Sequence, residues 1–450
     1  MECPTFNRSS TTTASGQAAD GAVILRGGRV IDPASGEDRV REVALAGGVF
    51  VSPASVPGAR VVDVSGLVVA PGFIDAHVHL RDPGQTAKED LVTGTRAAAA
   101  GGFATVIAMP NTVPPLDTPA RVAAFVGDCR KRAVVRVLPS ATLTLGRDGR
   151  EPADAAGLKA AGAVALTDDG ACVQDAAVMR RCLLAARAAG LPVTDHCEDA
   201  ALARGGAIRA GPVADALGVR GIPAQAEEVI AARNLLLARE TGQSVHLQHI
   251  SSAGTVAILE RARALGVPLT AEITPHHLAL TVDACRELGS QAKMNPPLGT
   301  EADRRALLAA LAGGLVTVIA TDHAPHTAEE KGRGLAAAPF GIIGLESAVP
   351  VCLERLVHGG VLSLMQLVAA FTTGPAAVFG LPYGTLALGA PADLTLFDPD
   401  AVVEIRPETF QSKARNCPFA GWRCRGRVAG TVVAGRWVFG DPMEPPVRGG

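Results

Sequence analysis

His77 and His79 stand one residue apart at the close of an apolar run, Val68-Val69-Ala70-Pro71-Gly72-Phe73-Ile74-Asp75-Ala76-His77-Val78-His79-Leu80-Arg81. On a strand, side chains alternate between faces, so His77, His79 and Arg81 are expected to point the same way. Two neutral imidazoles on one face supply nitrogen ligands for zinc, nickel or iron, and a guanidinium beside them can hold an anionic substrate. The same signature, polar groups closing an apolar run, recurs along the chain. Ala163-Val164-Ala165-Leu166-Thr167 ends in Asp168-Asp169-Gly170, and the run from Pro192 ends in Asp195-His196-Cys197-Glu198-Asp199. Further on come Gln248-His249-Ile250 and Ala320-Thr321-Asp322-His323-Ala324-Pro325-His326.

Such groups need a scaffold that brings strand ends together. Eight β-type runs begin near Phe73, Phe103, Val134, Ala163, Pro192, Ser244, Pro268 and Leu315, most of them about 30 residues apart, the size of one βα unit. Helical stretches fill the gaps, among them Lys88 to Ala100, Gln174 to Ala189, Ala224 to Thr241, Ala253 to Leu265, Asp303 to Leu311 and Leu345 to Val357. Strands alternating with helices eight times predict an α/β fold, a (β/α)8 TIM-like barrel whose chemistry sits at the C-terminal strand ends. His, carboxylate, His, His and Asp then converge on one mouth.

The two ends of the chain read differently. Ala22 to Val51 carries short alternating strands around Gly27-Gly28 and Gly47-Gly48, and Gly384 to Phe439 carries similar strands with turns at Gly389-Ala390-Pro391 and Ala434-Gly435. Neither end can bury a sheet face alone, so together they are expected to form a small β-sandwich from the N- and C-terminal segments. The expected division is a disordered leader over 1–20, sandwich over 21–70, barrel over 71–380, sandwich again over 381–440 and a tail over 441–450.

Composition narrows the function classes. With 450 residues, 48% of them hydrophobic, the chain can bury a large core, and a net charge of −2 provides no basic field for nucleic acid or anionic lipid. Apolar runs are too short to span a bilayer, and the Ser/Thr/Ala-rich first 20 residues lack the apolar stretch of a secretory signal. Nine cysteines without a C-x-x-C pair fit reduced thiols, and a cytoplasmic location is expected.

The order of motifs resembles the cyclic amidohydrolases, and within them the dihydroorotases of the bacterial type. The resemblance is carried by Pro71-Gly72-Phe73-Ile74-Asp75 running into His77-Val78-His79-Leu80-Arg81-Asp82-Pro83-Gly84, by Met109-Pro110-Asn111-Thr112, and by Thr167-Asp168-Asp169-Gly170. It continues through Asp195 to Asp199, Met294-Asn295-Pro296-Pro297-Leu298, Thr321 to His326 and Pro339-Phe340-Gly341-Ile342-Ile343-Gly344. It implies that His77, His79 and Asp322 hold one metal ion, that His196 and His249 hold a second, and that Asp169 is shared. It also implies Zn2+, one or two ions per subunit, and substrate contacts from Arg81, Asn111, Asn295, His326 and the Phe340-Gly341 backbone. The implied reaction is the reversible cyclisation of N-carbamoyl-L-aspartate to dihydroorotate in pyrimidine biosynthesis. A metal ion brings the pKa of a bound water from 15.7 towards about 7, with Asp322 as general base and acid. A homo-oligomer and aspartate transcarbamoylase as a partner are the implied assemblies.

Two other readings compete. A hydantoinase or allantoinase would open a neutral ring, but those enzymes, like some dihydroorotases, bridge their metals with a carboxylated lysine where this chain has Asp169, and they have less use for Arg81 and Asn111 as an anion pocket. A catalytically silent partner of aspartate transcarbamoylase would have eroded ligands, and none is eroded here. Around the site, His246 reads as structural, His276 and His277 as supporting or loop residues, and Cys197 and Asp168 as facing away by alternation. Asp75 is left as either a support for His77 or a structural residue. The Glu/Lys/Gly/Ala-rich stretch Thr327 to Ala338 has no pattern that would bury it and reads as a mobile lid.

Overall fold

Each of the eight apolar runs forms a strand, and every neighbour in sequence is a neighbour in the sheet. The computed structural model describes residues 21–440, so the leader expected over 1–20 and the tail expected over 441–450 lie outside the described residues. The barrel strands are Phe73–Val78, Phe103–Ala108, Arg136–Ala141, Ala165–Leu166, Val193–Asp195, Val245–Leu247, Leu269–Ile273 and Val318–Ile319, all parallel. Side chains from these strands and from the surrounding helices make one continuous apolar core, including Phe73, Phe103, Val106, Leu166, Val193, Val245, Ile273 and Ile319.

Helix starts are set by capping. The helix expected from Lys88 begins at Leu91 because the Asp90 carboxylate accepts the Val92 and Thr93 amides, both at 2.9 Å, while Thr93 reaches back to the Asp90 amide. Asp175 caps Ala176–Ala189, which ends at Gly190 in the left-handed conformation (φ 64°), and Thr300 caps Glu301–Ala312. The helix expected over Leu345 to Val357 is instead a short α-helix, Ala348–Cys352, continued by a π-turn over Leu353–Val357.

Closure of the ring takes place beyond the last strand. Val78 bridges His323 in parallel, and the His79 amide donates to the His323 carbonyl at 2.8 Å. One turn deeper, Asp75 is fully buried and its carboxyl joins strands one and eight, accepting the His77 amide (3.1 Å), the Thr321 amide (3.0 Å) and the Thr321 hydroxyl (2.5 Å). Burial pushes this carboxyl up to about 7. Asp75 therefore fixes backbone rather than an imidazole, which settles its role as structural.

The ends of the chain build two sheets against each other. A four-stranded sheet, Val49–Val51, Val43–Ala46, Val23–Arg26 and Arg60–Asp63, comes wholly from the N-terminal segment. Only the six-stranded sheet mixes both ends, in the order Arg436–Phe439, Arg423–Val433, Leu394–Glu404, Val68–Pro71, Arg29–Asp32 and Glu37–Val40. Leu25, Leu45, Phe50, Val69, Leu394, Leu396 and Val432 fill the space between them. Val68–Pro71 continues into the first barrel strand, and this junction is tight. The Gly72 amide donates to the Asp393 carbonyl (2.8 Å), and a Cβ at Gly72 would lie 2.5 Å from that of Ala104 and 2.9 Å from that of Asp393. The sandwich thus fixes the root of the strand that carries His77.

Asp75 supplies the test of ring closure. Asp75→Ala leaves buried donors of His77 and Thr321 unpaired and should lower stability by about 2–5 kcal/mol. Asp75→Asn keeps an acceptor oxygen and should cost far less. Urea unfolding of the metal-free protein measures both, and equal losses would show that the carboxyl does not carry closure.

Candidate metal centre

All six sequence-predicted ligands meet at the C-terminal mouth of the barrel, and all are buried. His77 lies at the end of strand one; His79 follows it in the turn. Asp169, His196 and His249 follow strands four, five and six, and Asp322 follows strand eight. His249 and Asp322 have left-handed backbones, φ 32° and 47°, so their side chains enter the mouth by a turn of the chain rather than by strand alternation.

Two triads share one carboxylate: His77, His79 and Asp169 form the first, and Asp169, His196 and His249 the second, with the ligand atoms of each within 4.8 Å of one another. The His77 Nε2 lies 3.4 Å from Asp169 Oδ1 and 3.5 Å from Asp322 Oδ1. The His79 Nε2 lies 3.1 Å from Asp322 Oδ1 and 3.6 Å from Asp169 Oδ2. Across the mouth, His196 Nδ1 faces His249 Nε2 at 3.0 Å, and Asp169 Oδ1 is 3.9 Å from the latter. Ligand atoms at about 2.0–2.1 Å around a tetrahedral ion are about 3.3 Å apart, and the distances quoted, from 3.0 to 3.9 Å, lie around that value.

The tautomers agree with that fit. His79 Nδ1 lies 2.9 Å from Asn111 Oδ1, and Asn111 Nδ2 donates to Asp169 Oδ2 at 3.1 Å. Since an amide oxygen only accepts, His79 carries its proton on Nδ1 and presents the Nε2 lone pair. His77 Nδ1 is 2.9 Å from the Glu272 carboxylate, and its buried Nε2 has no hydrogen-bond partner. Electrostatics point the same way. Burial alone would raise the Asp169 carboxyl, but His77 and His249 hold it well below the ordinary carboxylate range. Asp322 is likewise held low against burial by His77 and His79. The His77 imidazole is raised well above its usual value because Asp169 and Asp322 outweigh its burial. A proton on that ring and a metal ion compete for the same nitrogen.

The expected substrate contacts form one wall of the mouth. Strand one ends at Val78, so Arg81 is in the following turn with φ 59°, and the alternation argument does not apply to it. Its Nε donates to the Pro325 carbonyl at 3.3 Å. Burial lowers its pKa to about 10, so it stays charged at neutral pH. His326 Nε2 is 2.8 Å from the Phe340 carbonyl and 3.4 Å from Arg81 Nη2. The carbonyl requires a proton on Nε2, and the guanidinium then donates nothing to His326 and is free at that end. Asn295 donates to Glu198 at 2.7 Å, and its buried Oδ1 is unpartnered. Asn111 is occupied by His79 and Asp169, so it organises ligands. A cavity of about 460 Å³ adjoins this wall, lined by Glu198, Arg204, Ile222, Lys293, Asn295 and Phe340 among others.

Neighbouring residues sort by their contacts. Asp168 faces away and accepts the Leu143 (2.9 Å) and Thr144 (3.2 Å) amides. The Cys197 thiol packs beside Asp195 and Asn234. His246 bonds Thr270 and Glu272, and His277 is spanned between Thr274 and the Pro296 carbonyl. His276 is buried with an unpartnered Nε2, and burial depresses it to about 3.

Two residues escaped the sequence reading. Glu272 is fully buried in strand seven beneath His77; a carboxylate inside an apolar strand is itself a signal, since such groups are seldom buried unpaired. Lys331 corrects the view that 327–338 has nothing to bury. The stretch holds two short helices, Ala328–Lys331 and Gly334–Ala337, and Lys331 is only 2% exposed. Its ammonium donates to the carbonyls of Lys293 (3.2 Å), Pro339 (3.1 Å) and Gly341 (3.0 Å). No spacing rule marks a lysine for that role.

A sequence model of the dihydro-orotase-like family matches residues 66–255. A dihydroorotase of Pelotomaculum thermopropionicum is 46% identical over 422 residues, 93% of this chain and 99% of that protein. One of Geobacillus thermodenitrificans is 49% identical over 382 residues, 85% of this chain and 89% of that protein. Among solved structures, the L-hydantoinase (dihydropyrimidinase) of Arthrobacter aurescens superposes with a TM-score of 0.84 at 25% identity, covering 92% of this chain and 95% of that one. A D-hydantoinase of a Bacillus species superposes with a TM-score of 0.81 at 26% identity, covering 92% and 95%.

Lys331→Met removes the donor that ties the 327–341 segment to Lys293. Local opening should rise roughly tenfold, equivalent to ~1.4 kcal/mol, and proteolysis that samples the open state should accelerate in proportion. Wild-type cleavage rates in the variant would mean that the three carbonyl contacts do not hold the segment.

Proposed function

The chain belongs to the dihydroorotase family, and from that premise we propose how its residues divide the work. It is an enzyme that acts on a cyclic amide, with dihydroorotase activity: the C–N bond of the dihydroorotate ring is opened by water to N-carbamoyl-L-aspartate, and the reverse step closes it. The observation that supports the residue assignments best is the pair of triads meeting on Asp169, with a charged Arg81 two residues beyond His79. In this reading His77, His79 and Asp322 would hold one ion, His196 and His249 would hold a second, and Asp169 would be shared. The imidazole and carboxylate set, with no thiolate, suits Zn2+. When bound, the metal polarises the ring carbonyl and lowers the pKa of a water towards about 7.

The protein groups handle binding and protons. Arg81 pairs with the substrate carboxylate, and Asn295, His326 and the Phe340-Gly341 backbone complete the polar wall, with the Nε2 proton of His326 held by the Phe340 carbonyl. Asp322 is held ionised, so it can accept the proton of the attacking water and then release it to the ring nitrogen as the C–N bond breaks. In the closing direction the same carboxylate takes the proton from the carbamoyl nitrogen. His276, kept neutral by its burial, adds no competing positive charge to the mouth.

Metal analysis of the purified chain alongside assays on dihydroorotate tests the whole assignment; a protein active without bound metal would overturn it. Asp322→Asn should keep the fold and most of the metal but slow both directions by a factor on the order of 10² to 10⁴. Arg81→Met separates anion recognition from chemistry. Loss of a charge-assisted two-point contact costs about 2–5 kcal/mol, so efficiency on dihydroorotate should fall roughly 30-fold to several thousand-fold, while an uncharged ring such as dihydrouracil is scarcely affected. Equal loss on both rings, or loss of metal, would make Arg81 a structural residue.

A further inference from the structure

A single carboxylate, from a strand that contributes no ligand, underlies both triads. Glu272, in strand seven (Leu269–Ile273), is wholly buried, and each of its contacts bears on a histidine of strand one or strand six. Its Oε1 is 2.9 Å from His77 Nδ1 and 3.3 Å from the His249 amide nitrogen, and its Oε2 is 3.2 Å from His246 Nε2. An ionised carboxylate only accepts hydrogen bonds, so all three partners must donate to it. Gln248 Nε2 also lies 3.3 Å from His77 Nδ1, but two donors cannot share that contact, and the shorter carboxylate bond decides where the proton sits.

Two consequences follow from those contacts. His77 is held in the tautomer that leaves Nε2 as a lone pair, aimed at Asp169 and Asp322. His249, whose backbone is in the sparsely populated left-handed region (φ 32°), is pinned by its amide to the same oxygen. His79 has no share in this carboxylate; Asn111 orients it instead. The ligands His77 and His249, one from each triad, are therefore referred to a common fixed point, and His246 steadies that point from the other side through its bond to Thr270 (2.9 Å).

We propose that Glu272 is the positioning residue of the metal centre, setting the His77 tautomer and the His249 backbone so that the two triads are preformed in register. The role rests on the reading that these triads hold metal. Groups that orient metal-bound histidines typically contribute 10–100-fold in metal affinity. Glu272→Leu, close in size, removes both acceptor oxygens and should weaken zinc binding by about that factor in an equilibrium competition with a chromophoric chelator. The weakening should extend to both triads, because both are tied to the same oxygen.

A merely structural carboxylate would lower the melting temperature of Glu272→Leu and leave zinc affinity unchanged, which would overturn the proposal. Should the variant fail to fold, the zinc-loaded wild-type chain carries the test. Nitrogen NMR of histidine-labelled protein, with the His77 signal assigned by its absence from His77→Asn, must find the His77 proton on Nδ1, and an unprotonated Nδ1 would also overturn it. A wild-type chain that takes up no zinc at all would sink the metal reading itself, an outcome distinct from normal uptake with an unaffected Glu272→Leu.

Discussion

Burying three carboxylates among imidazoles at one barrel mouth is the constraint on which the rest of the structure depends. Asp169, Asp322 and Glu272 are all removed from water within a few ångströms of His77. Unpaired buried anions are far too costly to keep, so each must be matched by hydrogen-bond donors or positive charge. The protein supplies donors up to a point: Asn111 for Asp169, His246 and the His249 amide for Glu272. The unpartnered Nε2 of His77 shows where the matching is left for a cation.

Rigidity of the surroundings follows from that constraint. A cluster of this charge density holds its geometry only if the strands beneath cannot slide, and three separate devices prevent this. Asp75 ties strand one to strand eight at the point of closure. Gly72 and Asp393 lock the root of strand one to the sandwich. Strand seven brings Glu272 under strands one and six. The sandwich is in this sense part of the site's foundation, although it contributes no ligand.

The substrate wall is organised by a different kind of contact. Here charged side chains hold backbone carbonyls: Arg81 the Pro325 carbonyl, Lys331 those of Lys293, Pro339 and Gly341, and Lys293 those of Leu335 and Ala336. Carbonyls neutralise a cation only partly, which suits a surface that must attract an anion and release it after turnover. Burial draws the Lys331 ammonium down to about 8, and Lys293 beside it adds to the shift.

The sequence by itself determined the eight strands, because apolar period and chain spacing are local properties. It also brought the polar groups that close these runs to one mouth by barrel topology, and the order of its motifs singled out six candidate ligands among them by resemblance. What it could not supply were directions that depend on a turn or a distant partner. Arg81, His249 and Asp322 have positive φ, so strand alternation says nothing about where they point. Glu272 and His77 are 195 positions apart and become one unit only when strands seven and one share a barrel. Lys331 lies in a stretch whose composition suggests exposure, and its burial is decided by three carbonyls that folding gathers around it. Local chemistry is written in residue order, whereas the pairing of a buried charge is a property of whatever the fold sets beside it.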